Sequence, residues 1–143
     1  MSHPTTHTNY LFVYGTLRKG VDIPINRKIA NDLEWIGVGQ LKGGLYDIGS
    51  YPGAVKDENS FIRGDVFRLL SPEKTLEILD KYERFYPDNL AKSDYIRENE
   101  TVELKNGEQI VAGIYWYNQS IKGKICIEKG DYLEYLKEKK TAK

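Results

Sequence analysis

One glutamate stands where a helix of this chain should bury leucines. Along Pro72 to Phe85, at about 100° per residue, Leu79, Tyr82 and Tyr86 gather on one side with Leu76 beside them, and Glu83 falls between Leu76 and Leu79. Glu77, Lys81 and Arg84 project from the opposite side, as a solvated face requires. A carboxylate on an apolar face loses hydration, which lifts its pKa from about 4.3 toward the ~6–7 that suits a general base at neutral pH. The same position would suit a structural carboxylate paired with a buried arginine such as Arg97, or one reaching the rim of the core. A second candidate is the loop Tyr14-Gly15-Thr16-Leu17-Arg18, where glycine immediately follows an apolar strand. Consecutive backbone N–H groups in such a turn can converge on a carboxylate or an oxyanion, although an ordinary strand exit has the same composition.

Composition removes most other mechanisms. Both histidines, His3 and His7, fall in the polar N-terminal segment, so the folded body is expected to hold no imidazole for a Ser-His-Asp or Cys-His arrangement. Cys126 is the only cysteine, which rules out an intramolecular disulfide and a thiolate metal cluster. Phosphate-binding glycine motifs are absent, so the usual nucleotide signatures are missing, and with so few His and Cys ligands no metal site is expected. Lys plus Arg and Asp plus Glu both total 21, leaving no field to hold nucleic acid. The basic cluster Lys137, Lys139, Lys140 and Lys143 reads as a solvated helix end. Acid–base work must therefore come from carboxylates, tyrosines or lysines.

These groups need a scaffold, and 143 residues suffice for one domain. We expect a flexible tail over residues 1–8 and a single domain over 9–143. No apolar run approaches the roughly 20 residues that cross a bilayer, and Met1 to Thr8 carries no apolar signal segment, so a cytoplasmic location fits best. Nothing in the sequence assigns an oligomeric state.

Asn9 to Tyr14 reads as a strand. Pro24, Ile25, Ile29, Leu33 and Ile36 carry helical spacing, and short strands and turns follow from Trp35 to Leu69. Ser71 and Pro72 read as N-cap and first turn of the helix that carries Glu83. Tyr95 to Leu104 and Gln109 to Tyr117 read as a hairpin. A two-residue Asn106-Gly107 type I′ turn would set Val102 opposite Val111 and Arg97 opposite Trp116. Asp131 caps a last helix bearing Tyr132, Leu133 and Leu136. Strands with interspersed helices predict an α+β fold, a mixed barrel-like β-sheet with flanking helices.

Taken in order, Tyr14-Gly15-Thr16-Leu17-Arg18, Gly44-Leu45-Tyr46-Asp47, Tyr51-Pro52, Gly64-Asp65-Val66, Leu79-Asp80-Lys81-Tyr82-Glu83 and Tyr95-Ile96-Arg97 resemble the gamma-glutamylcyclotransferase-like family, in particular its AIG2-like and gamma-glutamylamine cyclotransferase members. The resemblance spans about Leu11 to Tyr117. It implies a barrel-like mixed sheet, Glu83 as proton acceptor, and the loop of Tyr14, Gly15, Thr16, Leu17 and Arg18 as the binding site of a small gamma-glutamyl substrate cyclised without a cofactor. A binding module that keeps the cradle but turns nothing over is the rival reading. Tyr95, Tyr115 and Tyr117 could line a pocket or serve strand packing equally well. The chain departs from the family at the insertion Val21 to Ile25 before Asn26, at Arg27 where many members carry His, and at Asp65 where Glu is frequent. These departures bear on the outer pocket, where the substrate's leaving half would sit.

Overall fold

The computed structural model describes residues 8–141. Eight strands and three α-helices follow in the order β1 (Tyr10–Val13), α1 (Pro24–Ile29), β2 (Leu33–Lys42), β3 (Gly44–Asp47), β4 (Pro52–Val55), β5 (Phe61–Leu69), α2 (Pro72–Tyr82), β6 (Tyr95–Leu104), β7 (Gln109–Tyr117), β8 (Ile125–Cys126) and α3 (Tyr132–Thr141). Five strands close a barrel in the order β1-β5-β2-β6-β7, with β1 and β7 parallel and the other neighbours antiparallel. A separate sheet, ordered β4-β3-β8, lies beside it. This is the expected α+β architecture.

Period-2 alternation divides the barrel strands between two cores. Phe12, Val66, Val102, Ala112, Ile114 and Trp116 join one cluster, which continues into Leu45, Ala54 and Tyr132 of the small sheet and α3. Their chain neighbours Leu11, Val13, Phe67, Leu69 and Tyr115 face the other way and pack on Leu76 and Leu79 of α2 and Ile29 of α1. The helix that bears Glu83 is therefore fastened to the outside of the barrel by its leucine stripe.

Several local expectations change. The first helix stops at Ile29, and after a 3-10 turn over Ala30–Asp32 both Leu33 and Ile36 belong to β2. Ser71 occupies the N-cap position of α2, but its side chain makes no cap bond. At α3 the cap is made as expected, Asp131 Oδ1 accepting from the Glu134 N–H at 3.1 Å. The hairpin register is shifted by one: Val102 pairs with Ile110 and Arg97 with Tyr115. Among the described non-glycine residues only Arg84 has positive φ, so Asn106 cannot supply the left-handed first position of a type I′ turn. The chain instead uses a three-residue loop. Gly107 N–H donates to the Leu104 carbonyl (2.9 Å), Leu104 N–H donates to that of Glu108 (2.7 Å), and Gly107 takes φ 90°.

The histidines and Lys143 lie outside the described residues. Thr8, the one described residue of the expected tail, is buried and donates its hydroxyl to the Tyr10 carbonyl at 2.7 Å. Among the described residues no helix is long and apolar enough to cross a membrane.

Candidate active site

Where β1, α2 and the start of β4 meet, a cavity of about 350 Å³ opens. Tyr14, Gly15, Thr16 and Leu17 form one wall, Tyr51 and Pro52 a second, and Glu83 with Tyr82 and Arg84 a third; Tyr95 and Tyr115 also line it. Both features picked from the sequence thus share one cavity.

Glu83 is the C-cap of α2. The helix ends in a Schellman arrangement: Phe85 N–H donates to the Asp80 carbonyl at 2.8 Å, and Arg84 N–H donates to that of Lys81 at 3.1 Å. This turn lodges Phe85 in the core and leaves Tyr86 outside it at 41 % exposure, while Tyr82, at the end of the helix itself, is 47 % exposed. Glu83 is left half-buried against the cavity. Among the described residues no ion pair or hydrogen bond reaches its carboxylate; Arg97 grips Asp80 instead. Burial, with a smaller contribution from the nearby Asp80 charge, pushes the Glu83 carboxyl from 4.5 up to about 7.

The facing loop is a backbone cradle. Gly15, Thr16 and Leu17 N–H groups find no acceptor among the described residues, whereas the Arg18 N–H closes the turn onto the Gly15 carbonyl at 3.2 Å. Asn26 holds the loop from behind, its Nδ2 donating to the carbonyls of Thr16 (2.8 Å) and Val21 (2.7 Å). Gly15 has to be glycine, because a Cβ there would come within 2.8 Å of Pro52 Cγ.

Arg18 does not join the other loop residues at the cavity. Its buried guanidinium donates to Asp65 Oδ2 and Asp131 Oδ1, each at 3.0 Å. Asp65 also accepts from the Lys19 N–H (3.0 Å) and Trp35 Nε1 (3.1 Å). Arg18 and Asp65 therefore brace the loop from beneath. Tyr117 likewise stands off the cavity and packs edge-on against Tyr95, ring centroids 5.5 Å apart.

The helix end that carries Glu83 and the loop that begins at Gly15 are both tied to Tyr115. Its hydroxyl donates to Asp80 Oδ1 (2.6 Å), one turn before Glu83, and its carbonyl accepts from the Tyr14 hydroxyl (2.6 Å), immediately before Gly15. Arg97 completes the Asp80 site with Nε at 2.9 Å and Nη2 at 3.0 Å. Tyr14 also accepts from the Ala54 N–H at 3.3 Å, and Tyr95 donates to the Pro52 carbonyl at 2.7 Å, fixing β4 as the remaining wall. Burial, first of all, raises the Tyr14 and Tyr115 phenols well above their usual range. They serve as neutral hydrogen-bond donors. Asp80 and Asn26 had no assigned role in the sequence reading; for Asp80 the available signal was its position three residues before Glu83 on the same helix. Among the described residues, no group of three or more His, Cys, Asp or Glu side chains could hold a metal ion.

A closed five-stranded mixed barrel with flanking helices defines the class of protein. The model of the family described as gamma-glutamyl cyclotransferase, AIG2-like, matches residues 11–134, and the chain belongs to that family. A Methanocaldococcus jannaschii protein named "Putative gamma-glutamylcyclotransferase" is 34% identical over 129 residues, 88% of this chain and 97% of the relative. YkqA from Bacillus subtilis superposes with a TM-score of 0.68 at 25% identity, covering 94% of this chain and 43% of that longer one. The mouse AIG2-like protein shares the fold, with a TM-score of 0.64 at 19% identity and coverage of 81% and 82%. Family membership supports a cyclotransferase activity acting on a small molecule.

Proposed function

We propose that the protein cyclises a gamma-glutamyl amine or peptide to 5-oxoproline and releases the amine, with Glu83 as general base and then general acid. The observation that carries this reading is an unpaired carboxyl raised to about 7, in the same cavity as three unengaged backbone N–H groups. The substrate's α-amino nitrogen attacks its own γ-carbonyl carbon, forming the ring C–N bond, and Glu83 takes the proton the amine must lose. Gly15, Thr16 and Leu17 N–H groups hold the oxygen that becomes negative, each such donor typically worth ~3–4 kcal/mol. As the tetrahedral intermediate collapses, the bond to the departing nitrogen breaks and Glu83 returns the proton to it.

Incubating the protein with gamma-glutamyl amines, gamma-glutamyl dipeptides and epsilon-linked gamma-glutamyl-lysine should release 5-oxoproline and free amine from at least one of them. Tight binding of a gamma-glutamyl ligand with no cyclised product would instead support a binding module.

The cradle supplies a second test. Gly15→Ala places a methyl group against the Pro52 ring, whose Cγ and Cδ would lie at 2.8 and 3.1 Å, and neither belongs to a flexible chain end. The loop must shift outward, at a stability cost of about 1–3 kcal/mol. Loss of kcat well beyond the fall in Tm is expected, because the displaced N–H groups no longer meet the oxyanion. Unchanged kcat would remove the loop from the mechanism.

A further inference from the structure

Arg84 is the only described residue other than glycine with positive φ, at 59°. It sits at the C′ position of α2, where the left-handed turn favours glycine. Its charge is not needed there for the helix end, since Lys81 already lies in the last turn. What distinguishes Arg84 is its position: it follows the base directly and lines the same cavity, where it is the only basic side chain. Asp94 Oδ2 lies 3.0 Å from Nε and orients the guanidinium, while no acceptor among the described residues engages either Nη group. The guanidinium is well exposed, with the half-open faces of Tyr51 and Tyr82 beside it.

Resting on the cyclisation reading, this geometry fixes where the released half must go. Glu83 protonates the departing nitrogen, so that nitrogen lies beside Glu83, and the glutamyl half occupies the cradle wall. Substituents on the departing nitrogen then meet the residue after Glu83. We propose that Arg84 is a specificity-determining residue whose Nη groups bind a carboxylate on the departing amine, so that the site favours gamma-glutamyl compounds that release an acidic amine over neutral ones of the same size. A carboxylate placed there would otherwise be repelled by Glu83 and Asp94, and the Arg84 fork supplies the matching charge and donors.

The test compares gamma-glutamylglycine with its near-isostere gamma-glutamylglycinamide, measuring kcat and KM for wild type, Arg84→Gly and Arg84→Gln. Wild type should favour the acid by about fivefold or more in kcat/KM. Both variants should bring the ratio close to one, with the loss in KM for the acid. The Tm of Arg84→Gly should not fall, because relief of the left-handed strain outweighs the unfolded-chain freedom glycine adds. A wild-type ratio near one or below, or a ratio that survives in either variant, overturns the proposal while leaving the cyclisation reading intact. No 5-oxoproline from either substrate with wild type overturns the proposal, because an acidic leaving amine is then not accepted, while the cyclisation reading falls only if the wider screen of amines, dipeptides and epsilon-linked gamma-glutamyl-lysine also yields none.

Discussion

Glu83→Gln is expected to lower the rate of 5-oxoproline release by about 10²–10⁴-fold while the far-ultraviolet circular dichroism stays that of wild type. Glutamine keeps the shape of the side chain and can neither accept nor return the proton. In wild type the acid limb of the kcat/KM profile should have its midpoint near the Glu83 value of about 7, because only the ionised carboxylate accepts a proton. The same substitution should change stability with a defined sign. Below about pH 4.5 the carboxyl is protonated in folded and unfolded chains alike and costs nothing. Between 4.5 and about 7 the unfolded chain ionises first, so folding becomes less favourable as pH rises, and the full penalty persists above both values. The gap between 4.5 and about 7 corresponds to about 3 kcal/mol. Denaturant unfolding of both proteins at pH 4 and pH 8 checks this: Glu83→Gln should be the more stable at pH 8, with little difference at pH 4. A variant less stable than wild type at pH 8 would mark Glu83 as a paired structural carboxylate, and full activity would remove it from the mechanism.

Asp80→Asn should have the largest effect on the fold among single substitutions near the site. Asp80 takes two hydrogen bonds from the buried Arg97 and one from Tyr115, and its side chain is 17 % exposed. Removing its charge leaves the Arg97 guanidinium without the carboxylate it grips, a change that typically costs 3–5 kcal/mol. A second effect follows on the base. Since the Asp80 charge adds to burial in raising Glu83, its loss should move the acid limb of the kcat/KM profile to lower pH. Urea unfolding and a pH–rate profile on the same preparation read both. An acid limb that does not move would assign the raised Glu83 value to burial alone.

Both candidate features, Glu83 and the loop after β1, stand out in the sequence, but the geometry around them was legible only in part. Glu83 stands out because Leu76 and Leu79 flank it on a helical net, and both leucines are buried against the barrel. The same net misplaces Tyr86, because regular 100° steps end where Arg84 turns left-handed and Phe85 lodges in the core, whereas Tyr82, still helical, stands exposed at the cavity. Asn106-Gly107 marks the hairpin, yet register depends on whether the asparagine itself adopts positive φ, and here only the glycine does. The ties from Tyr115 to Tyr14 and Asp80 join residues 101 and 35 positions apart, and local pattern carries no information about them. Arg18 shows the converse. A basic residue beside a glycine loop suggests an anion ligand, but its counter-charges, Asp65 and Asp131, come from distant parts of the chain.

The barrel closes through its earliest strand. Leu11 of β1 pairs with Phe67 of β5 on one side and with Gly113 of β7 on the other, so β1 can be seated between its neighbours only once β7 is in place. Such long-range pairing belongs to topologies that fold in milliseconds to seconds rather than microseconds. β1 can pair along β5 first, but its other edge stays open until β7 joins. The cradle starts immediately after β1, and Tyr14 takes its anchor from the Tyr115 carbonyl of β7. The loop that begins at Gly15 therefore takes its final order only when the last barrel strand has joined.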